Sequence, residues 1–223
     1  MSPYHAVLFD LDGTLLNTLD DLTDAVNHTL RHFGYPTRGR EEVRAFVGNG
    51  VRRLVERFLP GGPADPQMEA ALAEFKRFYT EHCDVRTHPY EGVVEAMAAL
   101  AEAGVRMAIV SNKNDEAVKA LARLYFGSLV SVAVGGRDGV PRKPAPAMPL
   151  EALQAIGAEP EHTLFVGDSD VDLQTALNTG MDCMLVSWGF RERELLSTLR
   201  PRFLVDDPAE IPALILQAPD EEP

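Results

Sequence analysis

The sequence predicts an α/β fold: a Rossmann-like parallel sheet core with helices on both faces and an inserted helical subdomain. Three observations carry this. The near-continuous apolar run Ala6-Val7-Leu8-Phe9 ends in Asp10-Leu11-Asp12-Gly13-Thr14; a strand covered on both faces shows no polar alternation. From Glu91 onward, strand-length apolar runs alternate with stretches of helical period, the order that builds a parallel sheet through right-handed crossovers. Between residues 18 and 84 only helical spacing occurs.

The elements follow in order. Leu19, Leu22, Val26, Leu30 and Phe33 recur at three and four residues, predicting an amphipathic helix over 18–33 that Gly34 closes. Helical stretches follow at 40–47 and 51–59, separated by Gly48-Asn49-Gly50. After the turn Pro60-Gly61-Gly62-Pro63, the period through Met68, Leu72, Phe75 and Tyr79 predicts a helix over 67–82. In the second part, helices are expected at 93–103, 116–125, 148–156, 171–179 and 209–217. Strands are expected at 105–110, 129–134, 163–166, 182–186 and 203–205. The division that results is a core of residues 1–17 and 85–218, a helical block of residues 18–84, and an acidic tail, 219–223.

A chain of 223 residues, 45% hydrophobic and 25% charged, has ordinary globular composition and can bury a substantial core. Its formal net charge of −13 argues against a nucleic-acid partner, whose binding depends on clustered Lys and Arg. A small phosphorylated ligand remains compatible, because one metal ion or a few placed cations invert the local potential. Cys83 and Cys183 have neither metal-ligand spacing nor a disulfide pattern. No apolar run approaches the roughly 20 residues that span a bilayer, and no leader pattern opens the chain. A cytoplasmic protein without membrane attachment is expected.

Polar groups gather where strands end: Asp10 and Asp12, Ser111 and Asn112, Lys143 on a proline-rich loop, and Asp168 with Asp172. Each has a local alternative. Asp12 could serve only as a turn residue, Ser111 and Asn112 likewise, Lys143 as a solvated lysine, and Ser169-x-x-Asp172 as a helix capping box. Parallel strands, however, bring their carboxyl ends to one sheet edge, where open α/β sheets bind ligands, and joint occurrence there points to a shared site. Several converging carboxylates repel unless a divalent cation neutralises them, and an all-oxygen set suits Mg²⁺. With a lysine and hydroxyl donors for phosphoryl oxygens, the chemistry suggested is phosphoryl transfer.

These motifs resemble those of the haloacid dehalogenase superfamily of phosphohydrolases, most closely its phosphoglycolate phosphatase group. Asp10-Leu-Asp12-Gly-Thr14 matches the first motif, Ser111-Asn112 the second, Lys143-Pro144-x-Pro146 the third and Gly167-Asp168-Ser169-x-x-Asp172 the fourth. The resemblance implies Asp10 as nucleophile forming an aspartyl-phosphate, and Asp12 as general acid/base with its carbonyl facing the metal. It implies Ser111, Asn112 and Lys143 as holders of the phosphoryl group, Asp10, Asp12 and Asp168 as the Mg²⁺ site, and Asp172 as its outer support. Residues 18–84 correspond to the family's mobile cap. Asp12 separates the chain from the dehalogenases, which lack the second aspartate, and Lys76 is not expected to act as the cap lysine of phosphonate hydrolases. Asn17-Thr18 stands where the family often has Asp-Ser, and Ser111 where close relatives have threonine.

Specificity is expected in the cap. Phe46-Val47-Gly48-Asn49-Gly50 resembles the substrate-facing loop of phosphoglycolate phosphatases, and Arg52 or Arg53 could meet a substrate carboxylate bidentately; Gly48 and Gly50 could equally only break helices. Ser187-Trp188-Gly189-Phe190 resembles the same group, although Trp188 could equally be packing. The expected activity is Mg²⁺-dependent hydrolysis of a small phosphate monoester, phosphoglycolate preferred. Within the superfamily the alternatives are a phosphomutase like β-phosphoglucomutase or a pyrophosphatase. Outside it they are a phospho-aspartate receiver, which would be about half this length, or a non-catalytic binding protein. Nothing in the sequence sets an oligomeric state.

Overall fold

The computed structural model describes residues 4–217; the expected acidic tail, 219–223, lies outside them. The elements run β1 (Ala6–Phe9), β2 (Leu16–Asn17), α1 (Leu19–His32), α2 (Arg40–Phe46), α3 (Val51–Phe58), α4 (Met68–His82), β3 (His88–Pro89), α5 (Val93–Glu102), β4 (Arg106–Asn114), α6 (Asp115–Phe126), β5 (Val132–Gly136), α7 (Ala147–Ile156), β6 (Thr163–Gly167), α8 (Asp170–Thr179), β7 (Asp182–Val186), α9 (Arg193–Thr198), β8 (Phe203–Val205) and α10 (Glu210–Gln217).

Six strands form a parallel sheet in the order β5-β4-β1-β6-β7-β8. β1 sits inside it, with Phe9 opposite Ile109 of β4 and Val166 of β6. From β1 the chain builds outward through β4 and β5, then crosses to β6 on the other flank. That reversal makes the carboxyl end of β1 the topological switch point, where such sheets open a crevice.

Alternate β1 side chains serve opposite faces. Val7 and Phe9 join one apolar cluster with residues of α5, α6 and α10; Ala6 and Leu8 join the other with residues of α7, α8 and α9. Both faces are therefore covered, as the unbroken apolar run requires. Helices α1 to α4 gather around a third cluster that includes Leu22, Leu30, Val55, Phe58 and Phe75. Burying each such side chain contributes roughly 1.5–3 kcal/mol.

Three short elements escape the sequence reading. β2 and β3 pair as a short antiparallel ladder, Leu16 opposite Pro89 and Asn17 opposite His88, where the chain leaves and rejoins the sheet layer. Beside it the buried Asp21 carboxylate accepts hydrogen bonds from the N–H groups of Arg86 and Thr87 at 2.9 Å each and from the Thr87 hydroxyl at 2.8 Å. Strands of two residues carry no periodicity to read. α9, with Leu196 as its buried residue, is equally too short. β4 also continues to Asn114, past the expected end at 110, through a register irregularity between Val110 and Asn114.

Candidate active site

Asp10 follows β1 directly, and its N–H donates to the Val166 carbonyl at 2.9 Å, which extends the ladder into the loop. Gly13 then turns the chain with φ of +86°, a conformation that costs glycine no steric strain. Its N–H donates to the Leu16 carbonyl at 2.9 Å. This tight loop leaves Asp10 8% exposed. Lys143, on the loop before α7, places its Nζ 2.8 Å from Asp10 Oδ1 and 2.7 Å from Asp172 Oδ1.

Asp168 and Asp172 come from the β6–α8 junction. Asp168 accepts a hydrogen bond from the Phe190 N–H at 2.6 Å. Asp172 Oδ2 accepts from the Ser169 hydroxyl at 2.6 Å and from the Asp168 N–H at 3.2 Å. No capping box forms here, because Ser169 donates to the carboxylate instead of accepting from the helix N–H groups. Asp10, Asp168 and Asp172 each offer an oxygen within 4.8 Å of the others.

Burial pushes the Asp10 pKa up from 3.8 to about 7, with Lys143 opposing and Asp172 and Asp12 adding to the rise. Asp168 is raised well above the ordinary carboxylate range by burial, then by Asp172 and Asp10. Burial alone would lower the Lys143 pKa, but Asp10 and Asp172 hold it above the ordinary lysine range. Three buried acids repelling one another with oxygen donors alone fit a hard divalent cation of the Mg²⁺ type. Both Asp172 oxygens are already engaged by protein donors, which suits an outer support more than a direct ligand.

Asp12 is turned away from this trio. Its Oδ1 lies 2.9 Å from Nζ of the buried Lys113, and that ammonium also contacts the hydroxyl of Tyr79 from α4. Ser111 is buried and accepts from the Lys113 N–H at 3.4 Å. Asn112 uses its amide donors on backbone carbonyls, Lys143 at 3.0 Å and Gly48 at 3.2 Å, while its buried Oδ1 has no hydrogen-bond partner among the described residues. Asn112 thus joins the 46–50 loop to the Lys143 loop.

These groups open onto a cavity of about 60 Å³. Core residues Asp10, Asp12, Ser111, Lys113, Lys143 and Asp168 line one side; Leu22, Val47, Val51, Leu54 and Tyr79 of the helical block line the other, with Phe190 and Arg191 between. Gly48 and Gly50 also line it. Arg191 donates to the Val47 carbonyl at 2.9 Å, and Arg44 to the Gly189 carbonyl at 3.1 Å. Trp188 donates to the Thr14 carbonyl at 3.0 Å, so it fastens this loop to the turn after β1.

Two of the groups expected at the substrate lie away from the cavity. Arg53 is not at the cavity: its side chain is 66% exposed and pairs with Glu56 at 2.7 Å. Arg52 pairs with Glu69 at 2.8 Å on the outer surface. The phase of α3 is the reason, since Leu54, Val55 and Phe58 take its inward face. Asn49 does not line the cavity either; its Oδ1 accepts from Arg57 at 2.7 Å. Lys113, Tyr79 and Arg191 line the same cavity and are not among the site residues the sequence singles out. A lysine directly after Ser111-Asn112 was a usable signal for the first; Tyr79 was read only as part of an apolar helical stripe.

The family model for haloacid dehalogenase-like hydrolases matches residues 7–186. Phosphoglycolate phosphatase 1 of Pseudomonas aeruginosa is 37% identical over 207 residues, 90% of this chain and 76% of that protein. Phosphoglycolate phosphatase of Thiobacillus denitrificans is 33% identical over 221 residues, 97% of each chain. A crystal structure from Lactobacillus delbrueckii subsp. bulgaricus, of a protein provisionally assigned the same activity, superposes with a TM-score of 0.89 at 32% identity, covering 96% of this chain and 99% of that one.

Proposed function

Since the chain belongs to the haloacid dehalogenase-like hydrolase family and is a phosphoric monoester hydrolase, we propose that it hydrolyses a small phosphate monoester, phosphoglycolate foremost, through an aspartyl-phosphate on Asp10. The observation that carries this is the convergence of Asp10, Asp168 and Asp172 beside a small cavity, with Lys143 paired to Asp10 and Asp172.

In the first half-reaction an Asp10 carboxylate oxygen bonds to phosphorus. The bond from phosphorus to the substrate alkoxide breaks, and Asp12 gives its proton to that oxygen. In the second, Asp12 takes a proton from water as the water oxygen bonds to phosphorus, and the bond from phosphorus to Asp10 breaks. Phosphate leaves with Asp10 restored as a carboxylate. Lys143 and the Ser111 hydroxyl would hold phosphoryl oxygens. Mg²⁺, held by Asp10, Asp168 and the Asp12 carbonyl with Asp172 behind them, would supply positive charge against the phosphoryl oxygens.

Residues 18–84 act in this reading as a cap that excludes bulk water. The small volume of the cavity, about 60 Å³, supports a compact substrate.

The test is phosphate release with and without Mg²⁺ from phosphoglycolate, hexose phosphates, nucleotides, pyrophosphate and an aryl phosphate, with Asp10→Asn as control. Metal-dependent turnover that peaks on phosphoglycolate and vanishes in the variant is expected. Turnover retained by Asp10→Asn would refute the covalent mechanism, and preference for a nucleotide would refute the substrate assignment.

A further inference from the structure

We propose that Lys113 and Tyr79 are positioning residues for proton transfer by Asp12, so that this carboxylate is held in register only while the helical block sits over the cavity. The inference rests on the reading of Asp12 as acid/base.

Each of the two aspartates of the first loop has its own lysine. Lys143 serves Asp10 and Asp172, whereas Lys113 serves Asp12 at 2.9 Å. Lys113 is 6% exposed, and an ammonium buried to that degree is costly unless paired. Its second partner is the hydroxyl of Tyr79, and its Nζ also lies 4.4 Å from the centre of that ring. Three separate elements therefore meet at one ammonium: the loop after β1, strand β4 and helix α4.

Packing alone does not require the hydroxyl. Along α4 the inward positions are Met68, Ala71, Leu72, Phe75 and Tyr79, and a phenylalanine at 79 would fill the same space. What tyrosine adds is a polar tip directed at Lys113. A lysine stem with four rotatable carbons has no fixed geometry of its own; the ring and hydroxyl of Tyr79 restrict it. Lys113 in turn engages Oδ1 of Asp12 and leaves Oδ2 to give or take the proton.

The consequence depends on the leaving group. An alkoxide such as that of glycolate needs the Asp12 proton as its bond to phosphorus breaks, whereas a nitrophenolate departs without it. kcat/KM reports the phosphorylation half-reaction alone, so loss of positioning appears there as a selective loss on alkyl esters.

The experiment measures kcat/KM of the Mg²⁺-supplemented protein on phosphoglycolate, ethyl phosphate and 4-nitrophenyl phosphate for the wild type, Tyr79→Phe, Lys113→Met and Lys113→Arg. Expected losses on both alkyl esters are about 10-fold for Tyr79→Phe and about 100-fold for Lys113→Met, within the range of general acid catalysis. The aryl ester should change less than about 2-fold, and Lys113→Arg should recover part of the loss. Equal losses on alkyl and aryl esters would overturn the proposal in favour of a structural role. A loss confined to phosphoglycolate would overturn it by showing that Lys113 reads the substrate carboxylate. If Lys113→Met does not fold, the leaving-group pattern of Tyr79→Phe, which keeps the ring, decides alone. Absence of turnover by the wild type on any ester would overturn the hydrolase reading and this role with it.

Discussion

A methyl group added to Gly13 would stand 2.3 Å from Oδ2 of Asp168, which itself accepts the Phe190 N–H. The first loop and the β6–α8 junction thus approach as closely as backbone and carboxylate can. Gly13→Ala should force Asp168 out of the acidic trio and strain a backbone with φ of +86°. A loss of about 1–3 kcal/mol in stability is expected from the strain, with a larger fractional loss of Mg²⁺-dependent activity. Thermal unfolding and a metal titration of activity check the two parts separately.

Asp10 should make stability depend on pH in an unusual direction. Its pKa rises from 3.8 to about 7 on folding, so between those values the folded chain retains a proton that the unfolded chain has released. Unfolding therefore becomes easier as pH rises through that window. Asp10→Asn should remove this contribution, so the metal-free variant should gain on the order of 2–4 kcal/mol over the metal-free wild type at pH 8 relative to pH 4. Denaturant titrations at both pH values measure the difference.

Mg²⁺ should raise the unfolding midpoint of the wild type. A ligand at 100 times its Kd that binds only the folded state stabilises by about 2.7 kcal/mol. Asp168→Asn, which removes one member of the trio, should abolish most of the shift while leaving the apo protein folded. Scanning calorimetry with and without the metal provides the comparison.

Arg53 and Arg191 should behave oppositely. Arg53→Ala breaks an exposed pair with Glu56 and should change stability by less than about 1 kcal/mol, with kcat and KM unaltered. Arg191→Ala removes the charged donor on the Val47 carbonyl at the cavity wall. Losing such a bond should cost about 1.5–3 kcal/mol of stability, and kcat/KM should fall, mainly through KM, as the loop carrying Val47 loosens at the cavity wall. Steady-state kinetics on phosphoglycolate resolves the pair.

Much of the molecule follows from short-range pattern. The unbroken apolar run before Asp10 requires a strand covered on both faces, and the alternation after Glu91 requires a parallel sheet; together these bring Asp10, Ser111 and Asp168 to one sheet edge. The helices of residues 18–84 are equally legible, because a 3.6-residue apolar period survives in Leu22, Leu30, Phe58 and Phe75. Family motifs add roles to residues whose positions local pattern had already supplied.

Tertiary structure alone decided which side chains meet. Periodicity marks Tyr79 as inward-facing but carries no information about Lys113, 34 residues away, or about Asp12, 101 residues from that lysine. Spacing allowed Ser169-x-x-Asp172 to be a helix cap, yet Lys143 from another loop draws Asp172 into an ion pair. Arg53 lay near the right loop in sequence, but one helical turn with Leu54 and Phe58 buried rotates it into solvent. Local sequence sets backbone period and the facing of each element. Contacts between elements depend on how the packed layers rotate and approach, and those depend on all the buried side chains at once.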